Sequence, residues 1–175
     1  MKVAARIVCV STLFTLGSSL LAAQQTREQA VAGMKKVTPN QMDSSYTKAA
    51  PYAQQLVDEE LARHSEVILL AIHAAPPGHK DLIIASNFGR IGKIGDEDDL
   101  RCERTGKSNL EVNGAHFEDE VVMKDKSGKT VGAVGVVFNY KPGTDKDALA
   151  HIADQIRDEM QAKTPHKAVL FGPAE

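Results

Sequence analysis

The stretch VVMKDKSGKTVGAVGVVF, at residues 121–138, holds two apolar runs joined by a short polar segment. Ser127 and Gly128 lie in that segment, and glycine readily takes up the positive φ that a tight hairpin turn needs. In the second run, Gly132 and Gly135 leave room for another group to approach the backbone closely. The stretch therefore predicts a β-hairpin with a long second strand, which indicates an antiparallel sheet.

A second pair of strands is predicted earlier in the chain. Residues 66–74, EVILLAIHA, are almost continuously apolar, which is typical of a strand covered on both faces. PPGHKD at 76–81 is a turn, because two prolines and a glycine cannot continue a ladder of hydrogen bonds. Leu82–Ala85 then returns as the partner strand, and Asn109–Val112 adds a short strand before the 121–138 hairpin.

Helical patterns flank these strands. One covers residues 26–36, and a second begins at Pro51, which is tolerated in a first helical turn. A third lies within 96–107 and starts on four acidic residues that suit the helix dipole. The last has Thr144 as its predicted N-cap and carries an apolar stripe at helical spacing, made of Leu149, Ile152, Ile156 and Met160. The order predicts an α+β fold: a single, mainly antiparallel sheet of about five strands with N- and C-terminal helices packed on it.

Residues 1–23 have the composition of a secretory signal peptide. Lys2 and Arg6 form a positive region, and the uncharged apolar run that follows is about 15 residues long, too short for a comfortable membrane span. The alternative is an uncleaved anchor. We expect a periplasmic or secreted protein, without membrane insertion after cleavage, whose domain covers residues 24–163 and is followed by a C-terminal tail at 164–175 with little pattern.

Cleavage would remove Lys2 and Arg6 from the 21 lysines and arginines, which leaves 19 against 23 aspartates and glutamates, a net charge of about −4. This balance argues against a nucleic-acid partner or an anionic membrane surface. Cys102 would be the one cysteine left, so an internal disulfide is excluded. We expect it to be packed and inert; the alternative is a reactive thiol in a small exported enzyme.

Basic and polar side chains gather just after the second strand, in SNFGRIGK at residues 86–93. Arg90 and Lys93 are three residues apart and flanked by glycines. A guanidinium fork and the N–H groups of a glycine-rich loop suit an anion such as a carboxylate. The alternative is a solvated turn in which both cations pair with the acidic residues at 96–99.

Three segments, in this order and spacing, carry a family resemblance: LIIASNFGRIGK at 82–93, RTGK at 104–107 and the hairpin at 121–138. With them the chain resembles the single-Cache, PAS-like extracytoplasmic sensor domains of the PDC group. Relatives in that group stand at the front of citrate- and dicarboxylate-sensing histidine kinases and of chemoreceptors. The similarity spans about residues 50–140, and we expect a stand-alone form of the sensor domain.

The resemblance implies a small-molecule site on the face of the sheet opposite the long N-terminal helix. By position, the candidate ligand-binding residues are Asn87, Arg90, Lys93, Ser86, Thr105 and Lys107. It also implies that the domain passes on its state by contacting another protein, such as a membrane signalling protein.

The common catalytic and metal-site motifs are missing from the sequence. There is no G-x-S-x-G, H-E-x-x-H or Walker loop, and the six histidines form no H-x-x-x-H pair. His73, on an apolar strand, is expected to be a satisfied core or edge residue. We therefore predict a non-enzymatic domain, without cofactor or metal, that binds a small anionic metabolite. The alternative is a structural or protein-interaction module on the same fold with no small ligand.

Overall fold

The computed structural model describes residues 26–174, so the predicted signal peptide lies outside the described residues. The helices are α1 at residues 26–33, α2 at Pro51–Arg63, α3 at Glu97–Thr105 and α4 at Lys146–Lys163. The strands are β1 at Val67–Ala74, β2 at Leu82–Ser86, β3 at Asn109–Asn113, β4 at His116–Lys124 and β5 at Thr130–Asn139. Within this range, none of the helices combines the length and the apolarity that a membrane span needs.

The five strands of the described chain form one antiparallel sheet in the order β2-β1-β5-β4-β3. This arrangement confirms the predicted α+β fold and its single sheet. β5 is the central strand, pairing with β1 on one side and β4 on the other. The turn between β4 and β5 has Gly128 at φ +85, and the Asp125 carboxylate accepts hydrogen bonds from Ser127 N at 2.9 Å and Lys129 N at 3.1 Å.

One face of the sheet is covered by α2 and α4, and we call it the packed face. Its strand residues are apolar and almost fully buried: Leu70, Ile72, Phe117, Val134, Val136 and Phe138. Helix α4 adds Ile156 and Met160 from its predicted stripe, while Leu149 and Ile152 of that stripe are partly buried. This face holds the main apolar core of the domain.

The prediction that Thr144 caps α4 is wrong by one residue. Asp145 is the N-cap, because its carboxylate accepts hydrogen bonds from the N–H groups of Asp147 and Ala148, both at 3.1 Å. Thr144 instead accepts a hydrogen bond from Lys141 N at 3.2 Å. A carboxylate at the N-cap also complements the helix dipole, which a hydroxyl does not.

The last residues of the chain pack against the core. Lys167–Phe171 form a 3-10 turn, and Leu170 within it is fully buried with the residues of the packed face. Thr164 is also buried, and its hydroxyl donates a hydrogen bond to Met160 O at 2.8 Å. The segment expected to be a tail with little pattern therefore has ordered contacts up to its 3-10 turn.

The opposite face, which we call the open face, is covered in two places. Ala30 of α1 packs on Leu69 and Val137 at one end, and Cys102 of α3 packs on Val122 and Ala133 at the other. Between these two contacts the sheet is lined by polar side chains. The candidate site lies there, on the face away from α2.

Candidate functional site

A cavity of about 350 Å³ lies on the open face between α1 and α3. Side chains of β1, β5 and β4 form its floor, and the loop after β2 and the start of α3 form part of its rim. Ala71 and Gly135 are small residues on the floor, and a Cβ added at Gly135 would lie 3.8 Å from Glu118 Oε1. Small-molecule sites in proteins commonly measure about 300–1,000 Å³, so the cavity is large enough for a small metabolite.

Arg90 lies at the rim of this cavity in an unusual backbone conformation. Within residues 26–174 it is the single non-glycine residue with a positive φ, +62. Its guanidinium donates a hydrogen bond to Lys35 O and lies 6.0 Å from the centre of the Phe88 ring. Partial burial lowers the pKa of Arg90, and the nearby Glu118 carboxylate opposes that shift. The side chain is therefore held in place and faces a carboxylate.

Lys93 is the second predicted cation that lines the cavity. Its ammonium lies 3.2 Å from Asp96 Oδ2, which is the pairing that the solvated-turn alternative predicts. Its side chain is nevertheless only 17% exposed, so most of it is shielded from water. The Lys93 carbonyl accepts a hydrogen bond from Ile83 N at 2.9 Å, which fixes the loop against β2. The structure thus brings Arg90 and Lys93 to one rim.

Asn87 and Ser86 shape the loop that presents these cations. Asn87 Oδ1 accepts a hydrogen bond from Leu70 N, and Asn87 Nδ2 donates one to Ile68 O, both at 2.9 Å. The amide therefore extends the pairing of β2 with β1 by one step. Ser86 Oγ donates to Gly89 O. These bonds support the loop, and a ligand contact by either side chain stays a prediction.

Thr105 and Lys107 lie at the far end of α3 and are exposed. The Thr105 hydroxyl donates to Arg101 O at 2.8 Å and accepts from Lys107 N at 3.3 Å. Gly106, at φ +67, ends the helix in the left-handed conformation. The structure does not place Thr105 and Lys107 among the described residues that line the cavity, and their ligand role stays a prediction.

The floor carries acidic side chains that were not among the candidates chosen from the sequence. Glu118 and Glu120 project into the cavity from β4, and Asp99 from α3. Alternate residues of a strand share one face, so the spacing of Glu118 and Glu120 was a signal available in the sequence. The predicted helix-start role of the acidic run is confirmed for Asp96, the N-cap of α3. Asp99 is also buried, and it accepts a hydrogen bond from Asp96 N at 2.7 Å.

His73 meets two of these carboxyl groups beneath α3. One nitrogen or oxygen atom from each of His73, Asp99 and Glu120 lies within 4.8 Å of the others, and His73 Nδ1 is 3.3 Å from Asp99 Oδ2. The predicted burial of His73 is confirmed, but Nδ1 has no hydrogen-bond partner in the described part of the chain. Burial lowers the pKa of His73, while the Asp99 carboxylate opposes that shift. The buried imidazole is therefore not a fully satisfied core group.

Further carboxyl groups crowd this region. Both carboxyl oxygens of Asp81 and Oε1 of Glu103 are buried, and the two side chains are close enough to share a proton in a hydrogen bond. Burial, with Glu103 adding to it, raises the pKa of Asp81 to about 8. Burial, with Asp99 adding to it, raises the pKa of Glu120 to about 11. Proton uptake by Asp81 and Glu120 therefore reduces the repulsion among these buried carboxyl groups.

Cys102 is fully buried beside this cluster. Its thiol donates a weak hydrogen bond to Glu120 O at 3.3 Å. Burial, together with the surrounding carboxylates, raises the pKa of the Cys102 thiol to about 12. Since the thiolate is the reactive form, this environment fits a packed, inert cysteine better than the catalytic alternative.

No family model and no curated protein matches the chain. Solved structures are similar to it at low identity. A GAF domain structure is 11% identical, with 88% of this chain and 98% of that chain covered and a TM-score of 0.48. A type II free methionine-R-sulfoxide reductase from Thermoplasma acidophilum is 13% identical, with coverages of 80% and 92% and a TM-score of 0.45. A double mutant of the PobR inducer-binding domain from Acinetobacter, in complex with 3-hydroxybenzoic acid, is 12% identical, with coverages of 62% and 95% and a TM-score of 0.42.

These similarities concern the general architecture. The chain has an α+β fold with one antiparallel five-stranded sheet, and the PAS-like, single-Cache assignment stays a prediction. What those proteins bind or catalyse is a property of their own sites. In this chain the cavity of the open face is the feature that bears on function.

Proposed function

We propose that this chain is an exported, non-enzymatic domain of the single-Cache type that binds a small anionic metabolite in the cavity of its open face. The observation that carries the proposal is a cavity of about 350 Å³ with Arg90 and Lys93 at its rim. A guanidinium and an ammonium on one side of a partly enclosed space suit the recognition of a carboxylate.

The backbone of Arg90 supports a role for its side chain. A non-glycine residue in a sparsely populated conformation costs about 1–3 kcal/mol, and such residues collect at binding and catalytic sites. Arg90 has φ +62 and follows Gly89, which has φ +72. Glycine would fit position 90 with less strain, so the presence of arginine there is better explained by its guanidinium than by the turn.

The acidic floor restricts which anion fits. A carboxylate placed near Asp99, whose pKa is lowered, would be repelled, so it has to lie at the rim beside Arg90 and Lys93. The other end of the metabolite should carry N–H or O–H donors for the carboxyl oxygens of the floor. Small amino acids and hydroxy acids have both features and a suitable size.

A thermal-shift panel of small amino acids, hydroxy acids and dicarboxylates tests the proposal. A ligand that binds only the folded chain stabilises it by about 2.7 kcal/mol at a hundredfold excess over Kd, which gives a visible rise in Tm. Arg90→Gly should abolish that rise and still fold, because glycine accepts the positive φ, which offsets the lost hydrogen bond to Lys35 O.

Arg104→Ala is the matched control, since Arg104 is exposed on α3 and pairs with Glu97 at 2.6 Å. It should keep the full ligand-induced rise in Tm. The proposal is wrong if no compound in the panel shifts the Tm of the parent, or if Arg90→Gly responds as the parent does.

Export is tested separately by fractionating the producing cells and sequencing the N-terminus of the purified protein. A mature chain that begins near Gln24 supports export. A chain that keeps Met1 and stays in the cytoplasmic fraction contradicts it, whatever the cavity binds.

The second candidate is a protein-interaction module on the same fold. β3 is an edge strand, and Leu110 and Val112 on it are 57% and 42% exposed. A partner such as a membrane signalling protein would cover these side chains. This candidate predicts that no metabolite raises the Tm of the parent, so the thermal-shift panel separates the two.

A further inference from the structure

Three side chains from three separate elements meet beneath α3: His73 from β1, Glu120 from β4 and Asp99 from α3. One nitrogen or oxygen atom of each lies within 4.8 Å of the other two. We propose that these three residues bind one divalent first-row transition-metal ion, of which Zn²⁺ is the most suitable. An imidazole nitrogen and two carboxylate oxygens are donors that such ions accept.

The small residues of β5 allow this meeting. β5 lies between β1 and β4, with Ala133 paired to His73 and Gly135 paired to Glu120. Because neither residue has a bulky side chain, His73 and Glu120 can reach over β5 towards each other. The three donor residues lie far apart in sequence, so a search for short metal-binding motifs does not reveal them.

The strongest single indication is the unpaired nitrogen of His73. The side chain is only 7% exposed, and Nδ1 has no hydrogen-bond partner within residues 26–174. Buried polar atoms are nearly always paired, and an unpaired one destabilises the fold. Nδ1 lies 3.3 Å from Asp99 Oδ2 and 3.9 Å from Asp81 Oδ1, and a metal ion held between His73 and Asp99 would satisfy it.

The charge around the three residues also favours a cation. Asp81 and Glu118 add further carboxyl groups next to the three residues. Lys93 is a nearby cation, and its ammonium is already paired with Asp96 at 3.2 Å. Carboxylates this close together repel one another, and a divalent ion bound between them would neutralise part of their charge.

A second trio, which also has one histidine and two carboxylates, serves as an internal comparison. Glu60, His64 and Glu159 also have donor atoms within 4.8 Å of one another. His64 Nε2 and Glu60 Oε2 are also buried without a hydrogen-bond partner among residues 26–174. The difference is that protein cations neutralise the two glutamates here, because Arg63 pairs with both and Lys163 lies 3.6 Å from Glu60. No ion is needed there, so this trio carries no metal proposal.

Calorimetric titration of the EDTA-stripped full chain with ZnCl₂ tests the site, and Co²⁺ absorption gives a spectroscopic check. We expect one ion per chain. Glu120→Gln and His73→Gln should each weaken Zn²⁺ binding by at least ~10-fold, because each removes a donor. His64→Gln, in the comparison trio, should bind Zn²⁺ as tightly as the parent does.

Glu120→Gln has nearly the shape of the protonated side chain, so it should fold, and a melting curve in EDTA checks this. If His73→Gln does not fold, Glu120→Gln decides the result. The proposal is overturned if the parent binds no Zn²⁺ stoichiometrically, if Glu120→Gln binds as tightly as the parent, or if His64→Gln loses as much affinity. No metabolite is present in the titration, so its failure leaves the metabolite proposal standing.

Discussion

The two faces of the sheet are built from the same strands but have opposite characters. On the packed face, α2 and α4 cover apolar residues such as Leu70 and Phe138. On the open face, α1 and α3 cover only the two ends, and a cavity with His73, Asp99 and Glu120 lies between them. Side chains alternate along each strand, so one sequence supplies both surfaces. Apolar burial, the main source of stability, is therefore concentrated on the packed face, while charged groups collect on the open face.

Asp119 is the exception on the packed face. It lies opposite Val136 and is only 1% exposed, and its Oδ1 has no hydrogen-bond partner in the described chain. Burial, with Asp154 adding to it and Arg157 opposing it, raises the pKa of Asp119 to about 7. The packed face therefore contains one group whose charge opposes folding.

The largest expected effect contrasts two neighbouring leucines. Leu70→Ala, on the packed face, should lower the free energy of unfolding by about 2–5 kcal/mol, because it leaves a cavity in a closed core. Leu69→Ala makes the same change on the open face, where Leu69 already borders a cavity, and should cost clearly less. Urea denaturation measures both. Equal losses would mean that the open face contributes as much to stability as the packed face.

The second prediction concerns the pH dependence of stability. The pKa of Asp119 is raised to about 7 in the folded chain from 3.8. Its protonated form is therefore favoured by folding, and this contribution to stability is full below about pH 4 and is lost as pH rises to about 7. Asp119→Asn keeps the side chain neutral, so relative to the parent it should gain stability over this range, on the order of 3 kcal/mol by pH 8.

Urea denaturation of Asp119→Asn and of the parent between pH 4 and pH 8 measures this gain. Asp58→Asn, on the exposed side of α2, is the control and should change little across that range. A constant difference between Asp119→Asn and the parent at all pH values would show that Asp119 does not titrate in this window.

The smallest predicted effect separates two candidate residues of the open face. Asn87→Ala should lower the free energy of unfolding by about 1–3 kcal/mol, because it leaves Leu70 N and Ile68 O without their side-chain partner. Thr105→Ala, at the exposed end of α3, should stay within about 0.5 kcal/mol of the parent. Thermal melting without ligand distinguishes the two. If Asn87→Ala is as stable as the parent, a ligand role for Asn87 becomes the better explanation.

Most of the fold could be predicted because its signals are local. The continuous apolar run of β1, the turn at Gly128 and the helix start at Asp96 each lie within a few residues of sequence. The cap of α4 was misplaced by one residue, since Thr144 and Asp145 are both good caps and only the backbone geometry chooses between them. The burial of Leu170 could not be predicted, because the C-terminal segment that holds it has no hydrophobic periodicity.

The candidate site was predictable only in part. Arg90 and Lys93 were found because they follow a strand and lie between glycines, and both line the cavity. His73 and Glu120 were missed as a pair, because they belong to strands that do not touch each other. Their meeting depends on the small size of Ala133 and Gly135 on the strand between them.

The sequence by itself determined the elements of this protein, their order and the antiparallel pairing, because backbone preferences and side-chain periodicity act over short distances. Only the tertiary structure decided which charged side chains share one buried space. That choice depends on strand order, register and the helices laid across the open face, all of which join residues that are distant in the chain.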